Sequence, residues 1–274
     1  MIEIKDLNKR YGEKIVLNNL NLELDKPDIY ALVGPNGTGK TTLMDIMANF
    51  VKRDSGMVKI CNMDPSDFNV FKKLSYARNL NMLYDNLTGL DHLKLAKSLM
   101  NVSESEFKDA VDIFEVSDFM KKKVSTYSLG MRQKMLLTYF FIGDYDIYIM
   151  DEPVTGLDPS SIILLREYLK YLKSKGKMVI LSSHTLSEVD KTTDEILFLV
   201  NGKILRENLN SFAVENYLLK TNVNLDYEKH NDSYFIPHNE LDFALKEIFS
   251  KNGNVYSVEK YLRSTEDRYK ELYG

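Results

Sequence analysis

Near the start of the chain stand four short runs of alternating or wholly apolar positions: Ile2-Glu3-Ile4, Ile15-Val16-Leu17, Leu20-Asn21-Leu22-Glu23-Leu24 and Met57-Val58-Lys59-Ile60. A period of two marks strands with one buried face, so a small antiparallel sheet is expected there. Three other runs, Ile29–Val33, Ile147–Met150 and Met178–Leu181, are almost wholly apolar. Strands covered on both faces carry that pattern, which predicts a mainly parallel sheet. Helical spacing follows them: Leu43, Met47 and Phe50 share a face after the first, and Ile162, Leu165, Leu169 and Leu172 share one after the second. A strand-helix-strand order of this kind predicts an α/β fold.

Between Thr88 and Lys123 the pattern turns helical, with Thr88-x-x-Asp91 and Ser103-x-x-Glu106 as capping pairs. This reads as a helical insertion, about 86–142. From Glu207 onward the motifs thin out to a strand-like Tyr234-Phe235-Ile236, a helix-like Glu240–Phe249 and a terminal segment of mixed charge. The expected domains are therefore 1–206 and a small α+β lobe, 207–274.

Lys and Arg total 36 against 40 Asp and Glu, a formal charge of −4, so the chain has no basic field to hold nucleic acid. Nucleic acid is not an expected partner. With Cys61 as the single cysteine and no export signal at the start, a reducing cytoplasmic setting is expected. The apolar segment around Leu136–Ile142 is far shorter than the ~18 residues of a spanning helix. Any membrane role would act through a separate protein.

Candidate chemistry begins at Gly34-Pro35-Asn36-Gly37-Thr38-Gly39-Lys40-Thr41, which matches G-x-x-x-x-G-K-[ST] between an apolar strand and an amphipathic helix. Glycines let the loop wrap a polyphosphate closely enough for backbone N–H groups to point inward. The helix N-terminus adds its positive dipole end. Lys40 is then expected to reach the β- and γ-phosphates and Thr41 to ligate Mg²⁺, with Thr42 completing the binding stretch. Downstream, the strand Ile147–Met150 delivers Asp151 and Glu152 at its carboxyl end, where open α/β sheets bind ligands. Asp151 suits Mg²⁺, and Glu152 suits a general base that polarises the attacking water.

These segments stand in a characteristic order with Tyr127-Ser128-Leu129-Gly130-Met131, Asp151-Glu152-Pro153, Gly156-Leu157-Asp158-Pro159 and Ser182-Ser183-His184. Over roughly residues 1–205 the chain resembles ABC ATPases. The resemblance implies a P-loop NTPase core with an N-terminal antiparallel β subdomain and an α-helical subdomain. It implies ATP and Mg²⁺ as ligands, Tyr11 stacked on adenine, and His184 as the switch histidine at the γ-phosphate. Ser128 and Gly130 would meet the nucleotide of a second subunit, Asp158 would cross that interface, and a homodimer with two sandwiched ATPs is expected. A transmembrane permease would be the further partner, holding the chain at the cytoplasmic face of the membrane.

Two departures stand out. Asn79 occupies the position where the family usually carries Gln, or sometimes Glu, as a metal and water contact, and the only glutamine in the chain is Gln133. Asn offers the same amide on a side chain one methylene shorter. Leu129 and Met131 replace the commonest Gly and Gln of the signature, in a form similar to that of bacterial exporter ATPases for drugs, antibiotics and peptides. The ending, Ser264–Leu272, resembles the terminal segment of the same exporters. The leading expectation is an ATPase that energises a permease for export. A soluble ABC ATPase and an ATP sensor without turnover are the alternatives; one cassette, no sustained heptads and the presence of Glu152 and His184 weigh against them.

Overall fold

The computed structural model describes residues 1–78, 80–212, 215–230 and 232–274, which form two compact units, Met1–Glu207 with Tyr273 and Asn208–Leu272 with Gly274. The first unit opens with β1 (Ile2–Tyr11), β2 (Lys14–Leu24), β3 (Ile29–Val33), α1 (Lys40–Met47), β4 (Ser55–Ile60) and β5 (Leu74–Ala77). The helices α2 (Gly89–Met100), α3 (Glu104–Ile113) and α4 (Leu129–Phe141) follow. It closes with β6 (Ile147–Met150), α5 (Pro159–Ser174), β7 (Met178–Ser182), α6 (Leu186–Thr192), β8 (Glu195–Val200) and β9 (Lys203–Asn208).

An antiparallel sheet in the order β2-β1-β4 carries the alternating runs. Ile15–Leu17 and Leu20–Leu24, read as separate runs, belong to the one strand β2. Asn19, at φ 46°, interrupts the alternation between them without ending the strand. The second sheet runs β5-β6-β7-β3-β8-β9, and its first five strands pair in parallel. Every residue of β3, β6 and β7 is buried, which is why those runs lack alternation. The register aligns Ala77 with Met150, Met150 with Leu181, and Leu32 with Ser182. The carboxyl ends of β5, β6, β7 and β3 therefore lie side by side, at one level of the sheet.

The phosphate-loop helix is shorter than its pattern. α1 ends at Met47, Asn49 takes a left-handed φ of 58°, and Phe50 lies outside the helix with 54% of its surface exposed. Leu43 and Met47 do face the core. In the insertion, both capping pairs close as reciprocal boxes at the starts of α2 and α3. An aromatic cluster fastens the insertion to the sheet: the Phe141 ring lies 5.8 Å from Phe114, 5.6 Å from Tyr148 on β6 and 4.8 Å from Tyr168 on α5.

The second unit holds a short α7 (Leu209–Phe212), then β10 (Glu215–Thr221), β11 (Lys229–His230), β12 (Ser233–Pro237), α8 (Leu241–Ser250), β13 (Val255–Leu262) and α9 (Thr265–Tyr273). Its antiparallel sheet runs β11-β12-β10-β13. Ala244 and Ile248 of α8 pack with Leu219, Tyr234 and Ile236 of the sheet in a core of its own.

On α5 the buried stripe is Leu165, Leu169 and Leu172, while Ile163 is 54% exposed. Leu169→Ala is expected to cost about 2–5 kcal/mol, as cavity-forming core changes do. Ile163→Ala should stay within about 0.5 kcal/mol, as surface changes do. Urea unfolding of both variants beside the unmodified chain checks the difference.

Candidate functional site

Gly34–Gly39 connects β3 to α1, and its shape depends on glycine at two positions. Gly37 and Gly39 have φ of 77° and 111°, and a Cβ on Gly39 would lie 2.5 Å from Val16 Cγ1. Thr38 braces the turn, its hydroxyl donating to Pro35 O at 2.8 Å. Lys40, 7% exposed, bends back beneath the loop and donates to Gly34 O at 2.6 Å and Pro35 O at 3.1 Å. Burial holds its ammonium below the ordinary lysine pKa, opposed by the nearby Glu152 and Asp151 carboxylates.

A hydrogen-bonded chain crosses the carboxyl ends of the strands beside this loop. Thr41 Oγ1 donates to Asp151 Oδ2 at 2.6 Å, and Ser182 Oγ donates to Asp151 Oδ1 at 2.5 Å. Ser182 Oγ also accepts the Glu152 amide at 2.9 Å. Glu152, at φ 52°, holds its Oε2 2.6 Å from His184 Nδ1 and 3.3 Å from the His184 amide nitrogen. The His184 ring is otherwise open to solvent, whereas Glu152 is half-buried.

Tyr11, Lys14 and Val16 of the N-terminal sheet wall a cleft of about 360 Å³ whose floor is Asn36, Gly37, Gly39, Lys40, Thr41 and Thr42 with Asp151 and Glu152. Tyr11 is half exposed, and the Lys9 ammonium lies 5.2 Å from its ring centroid. Lys14 Nζ reaches Gly37 O at 3.3 Å across the mouth. Thr41 and Asp151 bring a hydroxyl and a carboxylate together, hard oxygen donors suited to Mg²⁺. Among the described residues no group of three or more His, Cys, Asp or Glu is placed to hold a metal ion.

A sequence profile of the family described as ABC transporter matches residues 17–155. The lantibiotic transport ATP-binding protein SrtF of Streptococcus pyogenes is 36% identical over 207 residues, covering 76% of this chain and 90% of its own. The chain belongs to the ABC transporter family. The bacitracin transport ATP-binding protein BcrA of Enterococcus faecalis is 34% identical over 211 residues, spanning 76% of this chain and 68% of its own. A solved structure described as the ATP binding subunit of an ABC transporter superposes with a TM-score of 0.72 at 28% identity, over 77% of this chain and 91% of that one. As a member of this family, the chain is an ATP-binding and ATP-hydrolysing subunit.

In this ABC ATPase, Tyr11, Asn36, Gly37, Gly39, Lys40, Thr41, Thr42, Asp151 and Glu152 share one cleft, with His184 against Glu152, while Gly34, Pro35 and Thr38 of the loop do not line it. Ser128 and Gly130 do not line it. Ser128 caps α4, accepting the Met131 amide at 3.2 Å, and Asp158 caps α5, accepting the Ser161 amide at 2.8 Å. Hydrogen bonds from Ser160 and Ser161 hold the Asp158 carboxyl far below its ordinary pKa, so it remains an anion. Asn79 lies outside the described residues.

Two connections escaped the sequence reading. Ser182 serves both Asp151 and the Glu152 amide; its only signal was a hydroxyl ending an apolar strand. Gln133, 4% exposed, donates to Pro153 O at 2.7 Å and joins the signature helix to the Asp151-Glu152-Pro153 turn. Its signal was weak, a lone amide between Arg132 and Lys134 just ahead of the apolar run of α4.

The unusual signature residue Leu129 has a local counterpart. Gly156 has φ 79°, and a Cβ there would lie 2.6 Å from Leu129 Cγ. Gly156→Ala is expected to destabilise the chain and slow ATP hydrolysis; the added Leu129→Gly change should relieve the clash and recover part of the loss. Thermal melts and steady-state ATPase rates of the single and double variants test this, and no recovery would show backbone strain alone at work.

Proposed function

We propose that this chain is the energy-coupling ATPase of a bacterial exporter, acting as a homodimer on a separate transmembrane permease at the cytoplasmic face of the membrane. The observation that carries this reading is the connected chain Thr41–Asp151–Ser182–Glu152–His184 beside a glycine-shaped phosphate loop. In this reading Lys40 leaves the loop carbonyls for the β- and γ-phosphates, and the loop amides orient them. Thr41 and Asp151, with Asn79, hold Mg²⁺, which when bound neutralises charge developing on the phosphates. Glu152 accepts a proton from, or polarises, the attacking water. His184 steadies Glu152 through Nδ1 and turns its exposed side toward the γ-phosphate. Tyr11 stacks on the base, a contact that any purine satisfies.

Closure of two copies would bring Ser128 and Gly130 of each to the nucleotide of the other. The capped start of α4 offers a hydroxyl and helix amides for that contact. ATP thus acts as a ligand that favours the closed pair, and hydrolysis resets it. Among the described residues no helix is long and apolar enough to cross a membrane, so the membrane step is assigned to the permease. An apolar groove lined by Phe50, Phe71, Met82, Met100 and Tyr139 supports a docking place for it beside the helical insertion. Export is supported by the signature form, by the terminal Ser264–Leu272 segment and by the lantibiotic and bacitracin transport relatives. The cassette is taken as 1–206, and 207–274 as a separate lobe.

Purified chain should show Mg²⁺-dependent ATPase activity and ATP-dependent dimerisation. Glu152→Gln should lower turnover at least about 100-fold, the scale of a lost general base, while still binding ATP and accumulating as a dimer in light scattering. Undiminished turnover in that variant would remove Glu152 from its role. Absence of turnover in the unmodified chain, alone and with permease, would favour a sensor.

A further inference from the structure

Asp45 and Arg78 form an ion pair that the nucleotide chemistry does not use. The Asp45 carboxylate is 5% exposed, and Arg78 Nη2 donates to its Oδ2 at 3.0 Å. Nε lies 2.9 Å from Oδ1 but is not aligned to donate to it. The Tyr76 hydroxyl completes the set, donating to Oδ1 at 2.9 Å. Phe50 shields the assembly, its ring meeting Tyr76 edge-on at 5.5 Å with the guanidinium 5.8 Å from its centroid. Asp45 also closes α1, because its carbonyl accepts the Phe50 amide at 2.7 Å.

The location gives the pair its meaning. Thr41 and Asp45 are four residues apart and so lie on the same face of α1. Thr41 bonds to Asp151 beyond the end of β6, and Asp45 bonds to Arg78 beyond the end of β5, the neighbouring strand. One helix face is thus pinned to two adjacent strand ends. The two pins differ in kind. Both oxygens of the Thr41–Asp151 bond are metal-donor atoms in the proposed function, so this contact must reorganise in each cycle, whereas nothing in the reaction competes for the Asp45–Arg78 contact.

We propose that the Asp45–Arg78 pair, closed by the Tyr76 hydroxyl, is the fixed strut that keeps α1 seated on β5 and β6 while Thr41 and Asp151 exchange partners. Asp45 and Arg78 are then positioning residues for hydrolysis, and this role rests on the function proposed above. The strut acts on the alignment of the phosphate loop with Asp151 and Glu152, not on the loop's own grip on phosphate. A buried carboxylate needs its cation, so removing either partner alone leaves an uncompensated group at the joint. Small misalignments of this kind have large effects on rate.

The test uses the full chain with Asp45→Asn, Arg78→Gln, the double variant and Arg78→Lys. Steady-state ATPase is measured against ATP and Mg²⁺, binding of a fluorescent ATP analogue without Mg²⁺, and thermal unfolding in parallel. Each neutralising single variant should lose roughly 10- to 100-fold in kcat, the scale of misplaced reacting groups, and need more Mg²⁺ for half-maximal rate. Analogue affinity without Mg²⁺ should stay within about twofold, and the double variant should be no slower than the singles, since one contact is lost in all three. Arg78→Lys, which keeps the charge without the fork, should fall between, and it carries the comparison if Asp45→Asn does not fold. An unchanged kcat, a parallel loss of analogue affinity, or a double loss equal to the product of the singles would each overturn the strut. If Glu152→Gln left turnover intact, the proposed function would fail instead, while non-additive unfolding between positions 45 and 78 would persist.

Discussion

Asp151 accepts a hydroxyl on each of its two oxygens, Thr41 from the phosphate-loop helix and Ser182 from β7, and the site is assembled around that carboxylate. The backbone beneath it is equally committed, because the Asp151 amide donates to Ala77 O at the end of β5 at 2.8 Å. One residue therefore fixes the relative heights of α1, β5, β6 and β7. Hydrogen bonds to a charged acceptor are worth about 1.5–3 kcal/mol each. That is enough to hold the elements in register.

Lys40 shows the same economy of alternatives. Its ammonium is buried against two loop carbonyls, and burial disfavours its charge relative to solvent. Polyphosphate would restore what burial removes, so the lysine gains more from a phosphate than an exposed one would. The loop carbonyls serve as resting partners that a stronger acceptor displaces. In the function proposed above, nucleotide binding would thereby be coupled to the shape of the loop, since Gly34 and Pro35 would lose their contact when the lysine leaves.

How much of this was legible in the sequence depended on the range over which each signal acts. Continuous burial marks β3, β6 and β7 locally, and a glycine-rich loop with Lys and Thr at fixed spacing can be read within eight residues. Phe50 continues the helical spacing of Leu43 and Met47, yet Asn49 in a left-handed conformation ends the helix first. The single strand β2 shows in the sequence as two runs because the irregularity at Asn19 offsets its pattern. The contacts of Ser182, Gln133 and Asp45 were not legible. Their partners lie 31, 20 and 33 residues away and are brought close only by strand register and helix packing.

Glu152 is the place where local preference gives way to function. A non-glycine residue at φ 52° costs about 1–3 kcal/mol unless its surroundings enforce it, and here the enforcing groups can be named. Ser182 Oγ holds the amide, and His184 holds the carboxylate from both its ring and its backbone. A relaxed backbone would have to give up one of these bonds, so the turned carboxylate is held from both ends. The serine that orients Asp151 is also the one that anchors Glu152. The two acids, adjacent in sequence, are thus turned to different neighbours, Asp151 to Thr41 and Glu152 to His184, and the separate roles proposed for them rest on which partner each one faces.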